Sequence, residues 1–256
     1  MLRVLDLFSG LGSFSLGLER TDGFETVAFC EIDPFARRVL AKHWPEVPCY
    51  DDVRTLTASR LADDGIAEID VICGGFPCQD ISEAGKRAGL DGARSGLWSE
   101  IARLVGELRP KFLIVENVSA LLSRGMGRVL GDLASCGYDA EWEVLGADAL
   151  GASQHRERIW ILSYPDDPRR QGTIWAGKPH QARKEWATSH SEPLRSTCGP
   201  WPPGPREIDN VPRMADGSAN RVDRLRCLGN AVVPQIPELI GRAILASTGD
   251  VHGDAE

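Results

Sequence analysis

The stretch that decides the fold spans residues 1–19, MLRVLDLFSGLGSFSLGLE. Residues 3–8 (RVLDLF) are short and apolar, run into Ser9-Gly10-Leu11-Gly12, and give way at Ser13 to a helix start. A strand feeding a glycine turn before a helix lets backbone approach a ligand closely and aims free N–H groups at it. The same alternation recurs outward along the chain. Residues 26–31 read as a second strand and 35–44 as a helix, while 69–73 (IDVIC) read as a buried strand running into Gly74-Gly75. Leu97, Ile101, Leu104, Val105 and Leu108 fall on one helical face. Residues 112–115 (FLIV) form a buried strand ending at Glu116-Asn117, and 158–163 (RIWILS) a further one. This order predicts an α/β fold with a mostly parallel sheet. Ligands in such sheets sit beyond the carboxyl ends of the strands, where every candidate residue below is expected.

At 256 residues the chain suits one large domain with a small lobe. The order breaks after Tyr164, with eight prolines between residues 165 and 206 and little periodicity. That reads as an irregular lobe over 165–224, between a main domain of 1–164 and its return at 225–256. The return holds a Gly229-Asn230-Ala231 turn and a helix over 236–245; residues 250–256 read as a frayed acidic tail.

Hydrophobic residues at 42% and charged residues at 26% exclude a disordered chain. A formal charge of −8 excludes a uniformly basic coat, yet leaves room for a local patch. Residues 165–226 carry 11 Lys+Arg against 8 Asp+Glu, whereas the remainder carries 18 against 29. No apolar run approaches the roughly 20 residues of a membrane span. Arg3 and Asp6 interrupt the apolar start, which argues against a signal peptide. Seven cysteines without a C-x-x-C pair or zinc-like spacing predict no disulfide framework and no metal, in a reduced, cytoplasmic setting.

Four sites carry chemistry. The glycine turn is followed at Glu31, 21 residues after Gly10, by an acid at the spacing that binds ribose hydroxyls in nucleotide-binding folds. Asp52 stands where a third strand ends and could receive an adenine amino group; close helix–sheet packing with two surface acids explains the same pattern. The second site is Gly74-Gly75-Phe76-Pro77-Cys78-Gln79. A cysteine just past a strand, held by a proline, suits a nucleophile better than a packed thiol such as Cys73. The following residues 83–96 hold Gly85, Gly89, Gly92 and Gly96 with Lys86, Arg87 and Arg94, a composition that suits a lid over a polyanion. At the third site, Glu116 ends a buried strand, where a carboxyl can stay protonated and donate to a ring nitrogen; Asn117 reads equally as a cap. At the fourth, Gln154, Arg156 and Arg158 share one face of a strand, and two guanidiniums there can hold a phosphate or a carboxylate.

Taken in order, these blocks resemble the C5-cytosine DNA methyltransferase family. DLFSGLGSFSLGLE is similar to its S-adenosylmethionine motif, GGFPCQDIS to its catalytic Cys loop, and RSGLWSEIARLVGELRPKFLIVENV to the helix and strand leading to its ENV motif. GASQHRERIWIL resembles its Q-x-R-x-R motif and GNAVVPQI its C-terminal motif. The resemblance covers residues 1–164 and 225–247. It implies a Rossmann-like, S-adenosylmethionine-dependent methyltransferase sheet with a small target-recognition lobe. It makes Cys78 the nucleophile at cytosine C6, and Glu116 the contact to N3. Arg156 and Arg158 position base and phosphate. Gln79, Ser82, Arg87, Arg94 and Gln154 contact DNA. Phe8, Gly10, Leu11, Gly12, Glu31, Asp52 and Asn230 line the cofactor site. The substrate it implies is double-stranded DNA with the target base flipped out, and a monomer with, in some settings, a cognate restriction endonuclease.

The lobe aligns less well. Val211-Pro212-Arg213-Met214-Ala215-Asp216-Gly217 with Arg221 and Arg224 stands where the family's ninth motif belongs. Trp175, Trp186 and Trp201 read either as base-edge readers or, preferably, as the core of the small lobe. The competing functions are an RNA cytosine methyltransferase on the same scaffold, a DNA-binding relative without catalysis, and a nicotinamide-dependent oxidoreductase. The last leaves Cys78 and Glu116 unexplained.

Overall fold

The computed structural model describes residues 1–66, 68–77, 97–146, 156–168, 172–175 and 231–249. In chain order these form β1 (Leu2–Leu7), α1 (Ser13–Glu19), β2 (Phe24–Cys30), α2 (Pro34–His43), β3 (Cys49–Tyr50), α3 (Ala58–Asp63) and β4 (Val71–Gly75). They continue with α4 (Trp98–Leu108), β5 (Phe112–Val118), α5 (Leu121–Arg124), α6 (Met126–Ser135), β6 (Tyr138–Gly146), β7 (Glu157–Pro165) and α7 (Gln235–Gly249). The described strands make one sheet in the order β3-β2-β1-β4-β5-β7-β6. The first five run parallel, and β7 lies antiparallel to both β5 and β6.

The central strands read as continuous apolar runs because both faces are covered. Their side chains alternate between two cores. Leu5, Leu7, Ile72, Leu113 and Val115 face α4 and α6, through Ile101, Leu104, Val129 and Leu133. Val4, Val71, Cys73, Phe112 and Ile114 face α1 and α7, through Phe14, Leu18, Ile240 and Ile244. The two helices on that second face approach so closely that a Cβ on Gly17 would lie 2.2 Å from the Pro234 carbonyl oxygen. The 231–249 segment packs Ile236, Ile240 and Ile244 into this second core. Asp33 starts α2, accepting the N–H groups of Phe35 (2.8 Å) and Ala36 (3.3 Å), with Pro34 in the first turn.

Two expectations need correction. Trp175 is not part of a separate lobe. It is buried in the second core with Trp160, Ile174 and Ile236. Nor do all the candidate residues stand at carboxyl ends of strands. Arg158 stands near the start of β7, and Arg156 precedes that strand. Because β7 runs antiparallel, its start pairs with the end of β5, Val118 opposite Arg158, so both reach the same sheet edge. Strand β6 was not anticipated, although Tyr138, Ala140, Trp142 and Val144 alternate with Asp139, Glu141 and Glu143.

Candidate active site

A cavity of about 380 Å³ opens at that edge. The β1 turn, the end of β2, the ends of β4 and β5, the start of β7 and Ala231-Val232 enclose it. Of the expected residues, Phe8, Gly10, Leu11, Glu31, Glu116, Arg156 and Arg158 line it. Cys78, Gln79, Ser82, Arg87, Arg94, Gln154 and Asn230 lie outside the described residues. Ile32, Asp33, Phe14 and Asn117 line it too. Adjacency to Glu31 and Glu116 could have flagged three of these; nothing in the sequence singled out Phe14.

The glycine turn is shaped for approach. Phe8 (φ +53°) and Gly10 (φ +53°) both take the left-handed conformation, which is uncommon for a bulky side chain and is concentrated at functional sites. Gly10 N–H donates to Glu31 Oε2 at 2.8 Å, and Asp33 N–H donates to Oε1 at 2.8 Å. The carboxylate is thereby held at the end of β2, and each oxygen keeps a further lone pair for a ligand hydroxyl.

Two expected residues are not on the cavity wall. Gly12 faces away from it, against Trp44. Asp52 caps a short turn (Val53–Thr55) and is gripped by Arg54, whose Nε and Nη2 reach its two oxygens at 2.6–3.1 Å. The hydrogen bonds from Arg54 hold the Asp52 carboxyl below the usual range.

Glu116 is a buried carboxyl on the wall. It is 8% exposed, and Arg158 Nε meets its Oε1 at 2.8 Å. Burial raises its pKa above the ordinary glutamate value, with Arg158 and Arg156 opposing the shift. Room for the carboxyl comes from its register partner Gly75, where a Cβ would stand 2.7 Å from Glu116 Oε2. Next to it, the buried Asn117 donates its amide N–H to the Phe76 carbonyl at 3.0 Å and accepts from Val118 N–H at 2.9 Å. Asn117 thus ties the end of β5 to Phe76-Pro77, the last described residues before Cys78. Asn117 stands inside β5 and caps no described helix, since the next helix starts after Ala120 without a side-chain cap.

Beneath the turn lies a residue that the sequence reading passed over. Asp6 is fully buried, accepts from Ser15 Oγ at 2.8 Å, and has Cys73 beside it. Desolvation pushes its pKa up to about 8. Its Oδ1 finds no hydrogen-bond partner among the described residues.

A parallel sheet with an antiparallel β7–β6 hairpin, a glycine turn answered by an acid 21 residues on, and a carboxyl–guanidinium pair on one edge define an S-adenosylmethionine-dependent methyltransferase fold. The chain belongs to the C-5 cytosine-specific DNA methylase family, whose profile matches residues 2–197. Curated relatives include the type II methyltransferase M2.BsuMI of Bacillus subtilis, 35% identical over 66% of this chain and 43% of its own length. M.HhaI of Haemophilus parahaemolyticus is 35% identical over 65% and 50%, and the orphan methyltransferase M.SPRI of Bacillus phage SPR is 34% identical over 65% and 38%. The chain spans about half the length, or less, of these relatives. Among solved structures, one described as a DNA modification methyltransferase encoded within an E. coli prophage aligns at 28% identity and TM-score 0.58, over 68% of this chain and 49% of that one. The S. pombe Dnmt2 methyltransferase aligns at 21% identity and TM-score 0.57, over 71% and 54%, which speaks for the fold alone. No described helix is long and apolar enough to cross a membrane.

Proposed function

We propose that this chain transfers a methyl group from S-adenosylmethionine to C5 of cytosine in double-stranded DNA. The observation that carries this is the buried Glu116–Arg158 pair, which shares one cavity with the glycine turn and with Pro77, the residue before Cys78. The cavity suits the cofactor: a close-approach turn on one side, and a strand-end carboxylate with free lone pairs on the other. Phe8, Gly10, Leu11 and Glu31 would hold it, with Asn230 closing the site. Asp52 takes part only if Arg54 releases it. The bound cofactor supplies an electrophilic methyl on a sulfonium.

The protein's own residues make cytosine able to accept that methyl. C5 of an aromatic cytosine is a poor nucleophile. The Cys78 thiolate adds to C6, while Glu116, whose proton affinity burial raises, donates to N3 in its protonated form. C5 then carries enamine electron density and can be alkylated. Loss of the C5 proton and expulsion of Cys78 restore the ring. Arg158 keeps Glu116 oriented and, with Arg156, offers positive charge to the base carbonyl or a phosphate. The base must leave the duplex to reach this edge. Gln79, Ser82, Arg87, Arg94 and Gln154 contact the DNA, and residues 165–224 recognise it. The working setting is the cytoplasm, as a monomer, either alone or beside a restriction endonuclease of the same specificity.

Bisulfite sequencing of genomic DNA from a methylation-free host expressing the chain tests this reading. Protected cytosines in one sequence context, lost in Cys78→Ala, are expected. Unmodified cytosines throughout, with folded protein confirmed, overturn it, as does methylation confined to tRNA in a parallel assay.

A further inference from the structure

We infer that Trp44 is a positioning residue for the glycine turn, setting cofactor affinity without touching the cofactor; this rests on the cofactor reading of the cavity. Leu11 and Ser13 line the cavity, but Gly12 between them does not. Gly12 has φ +77°, and the place a Cβ would occupy is filled from behind. Trp44 Cζ3 and Cη2 lie 2.7 and 2.8 Å from that point, and Leu40 Cδ2 lies 3.0 Å away. The indole is itself fixed. Its Nε1–H donates to Glu19 Oε2 at 2.9 Å and to Oε1 at 3.2 Å. Its ring stands edge-on to Phe29, with centroids 5.3 Å apart. Its backbone N–H caps α2 on the Leu40 carbonyl at 2.8 Å. Glu19 Oε1 also accepts from Thr26 N–H at 3.2 Å. One side chain therefore joins the last turn of α1, strand β2 and the end of α2, and presses on the back of the turn.

The physical consequence is preorganisation. A glycine turn has more conformations than any other backbone, and each must be given up when a ligand binds. The hydrogen bonds of Gly12 itself are its N–H to the Ser9 carbonyl (2.8 Å) and its carbonyl from Leu16 N–H (2.9 Å), while Gly10 N–H is held by Glu31. A rigid ring filling the space behind Gly12 removes alternatives before binding, so the ordering cost does not fall on affinity.

The test is calorimetric binding of S-adenosylhomocysteine to the full chain, with the melting temperature of each ligand-free variant measured separately. Trp44→Ala is expected to weaken binding about tenfold. Trp44→Phe, whose shorter ring falls short of Gly12, should lie between. Glu19→Gln keeps an acceptor for the indole N–H and should bind like the native chain, whereas Glu19→Ala should weaken binding. In turnover, KM for S-adenosylmethionine rises while kcat at saturation holds. Native affinity in folded Trp44→Ala overturns the inference. If that variant fails to fold, native affinity in both Trp44→Phe and Glu19→Ala overturns it instead. A native chain that binds no S-adenosylhomocysteine overturns the cofactor reading itself.

Discussion

Asp6 is fully buried and Glu116 largely so, and both respond by holding their protons more tightly. Glu116 has two guanidiniums to moderate the effect; Asp6 has Ser15 and the unhelpful neighbourhood of Glu31. Folded Asp6 keeps its proton to about pH 8, whereas the unfolded carboxyl releases it near its ordinary value of 3.8. The sign follows: its contribution to stability is complete at acid pH and is lost as pH rises from about 4 through about 8. Asp6→Asn keeps an acceptor for Ser15 and cannot ionise. Urea midpoints measured at pH 5 and pH 8.5 should fall less in this variant than in the native chain. An equal fall in both would show that Asp6 is not the group responsible. At this scale the sequence was strong on reactive types. Cys78 and Glu116 stood out because a thiol after a proline and a carboxyl ending an apolar strand are hard to explain as packing. Asp6 did not stand out, because nothing in DLF says how deep the strand lies.

Among the elements, β6 and β7 decide the most. Their hairpin turns the end of the sheet round, so that Arg158 arrives beside Val118 rather than at the far edge. Strand β6 also carries the buried Glu141, which does not line the cavity. Its carboxylate accepts the N–H groups of Ile174 (2.6 Å) and Trp175 (2.9 Å) and the Tyr164 hydroxyl. The chain leaving β7 is thereby pinned to the sheet before it continues into the proline-rich stretch. Glu141→Ala leaves two buried N–H donors unanswered, and should lower the unfolding free energy by about 1–3 kcal/mol per stranded donor. Chemical denaturation of the purified variant checks this, and a loss within about 0.5 kcal/mol, the usual surface value, would contradict it. The sequence could place the strands individually, since each is short and apolar. It could not say which way β7 runs, because a strand reads alike in both directions.

Across the whole molecule, charge is unevenly held. The main domain carries most of the acid, while residues 165–226 have an excess of three positive charges. A net charge of −8 therefore says little against a polyanionic partner, and the excess over residues 165–226 fits the proposal that they meet one. Affinity for duplex DNA should fall linearly with salt on logarithmic axes, by about a hundredfold or more between 50 and 200 mM for a handful of phosphate contacts. Fluorescence anisotropy across that range measures the slope. A flat response would remove phosphate contacts from the account.

The sequence by itself determined the fold class, the family and the chemical types at the site. These depend on local matters: apolar runs of strand length, a glycine turn, an acid 21 residues on, and a thiol in a proline-held loop. What only the tertiary structure decided was which of these residues share a space. Burial raised the proton affinity of Asp6 and Glu116, because desolvation depends on everything packed around a group. The antiparallel run of β7 brought Arg158 to Glu116. Trp44 took the space behind Gly12, and Arg54 took Asp52 away from the cavity wall. Each is a matter of chain segments meeting in three dimensions, and no spacing along the chain records it.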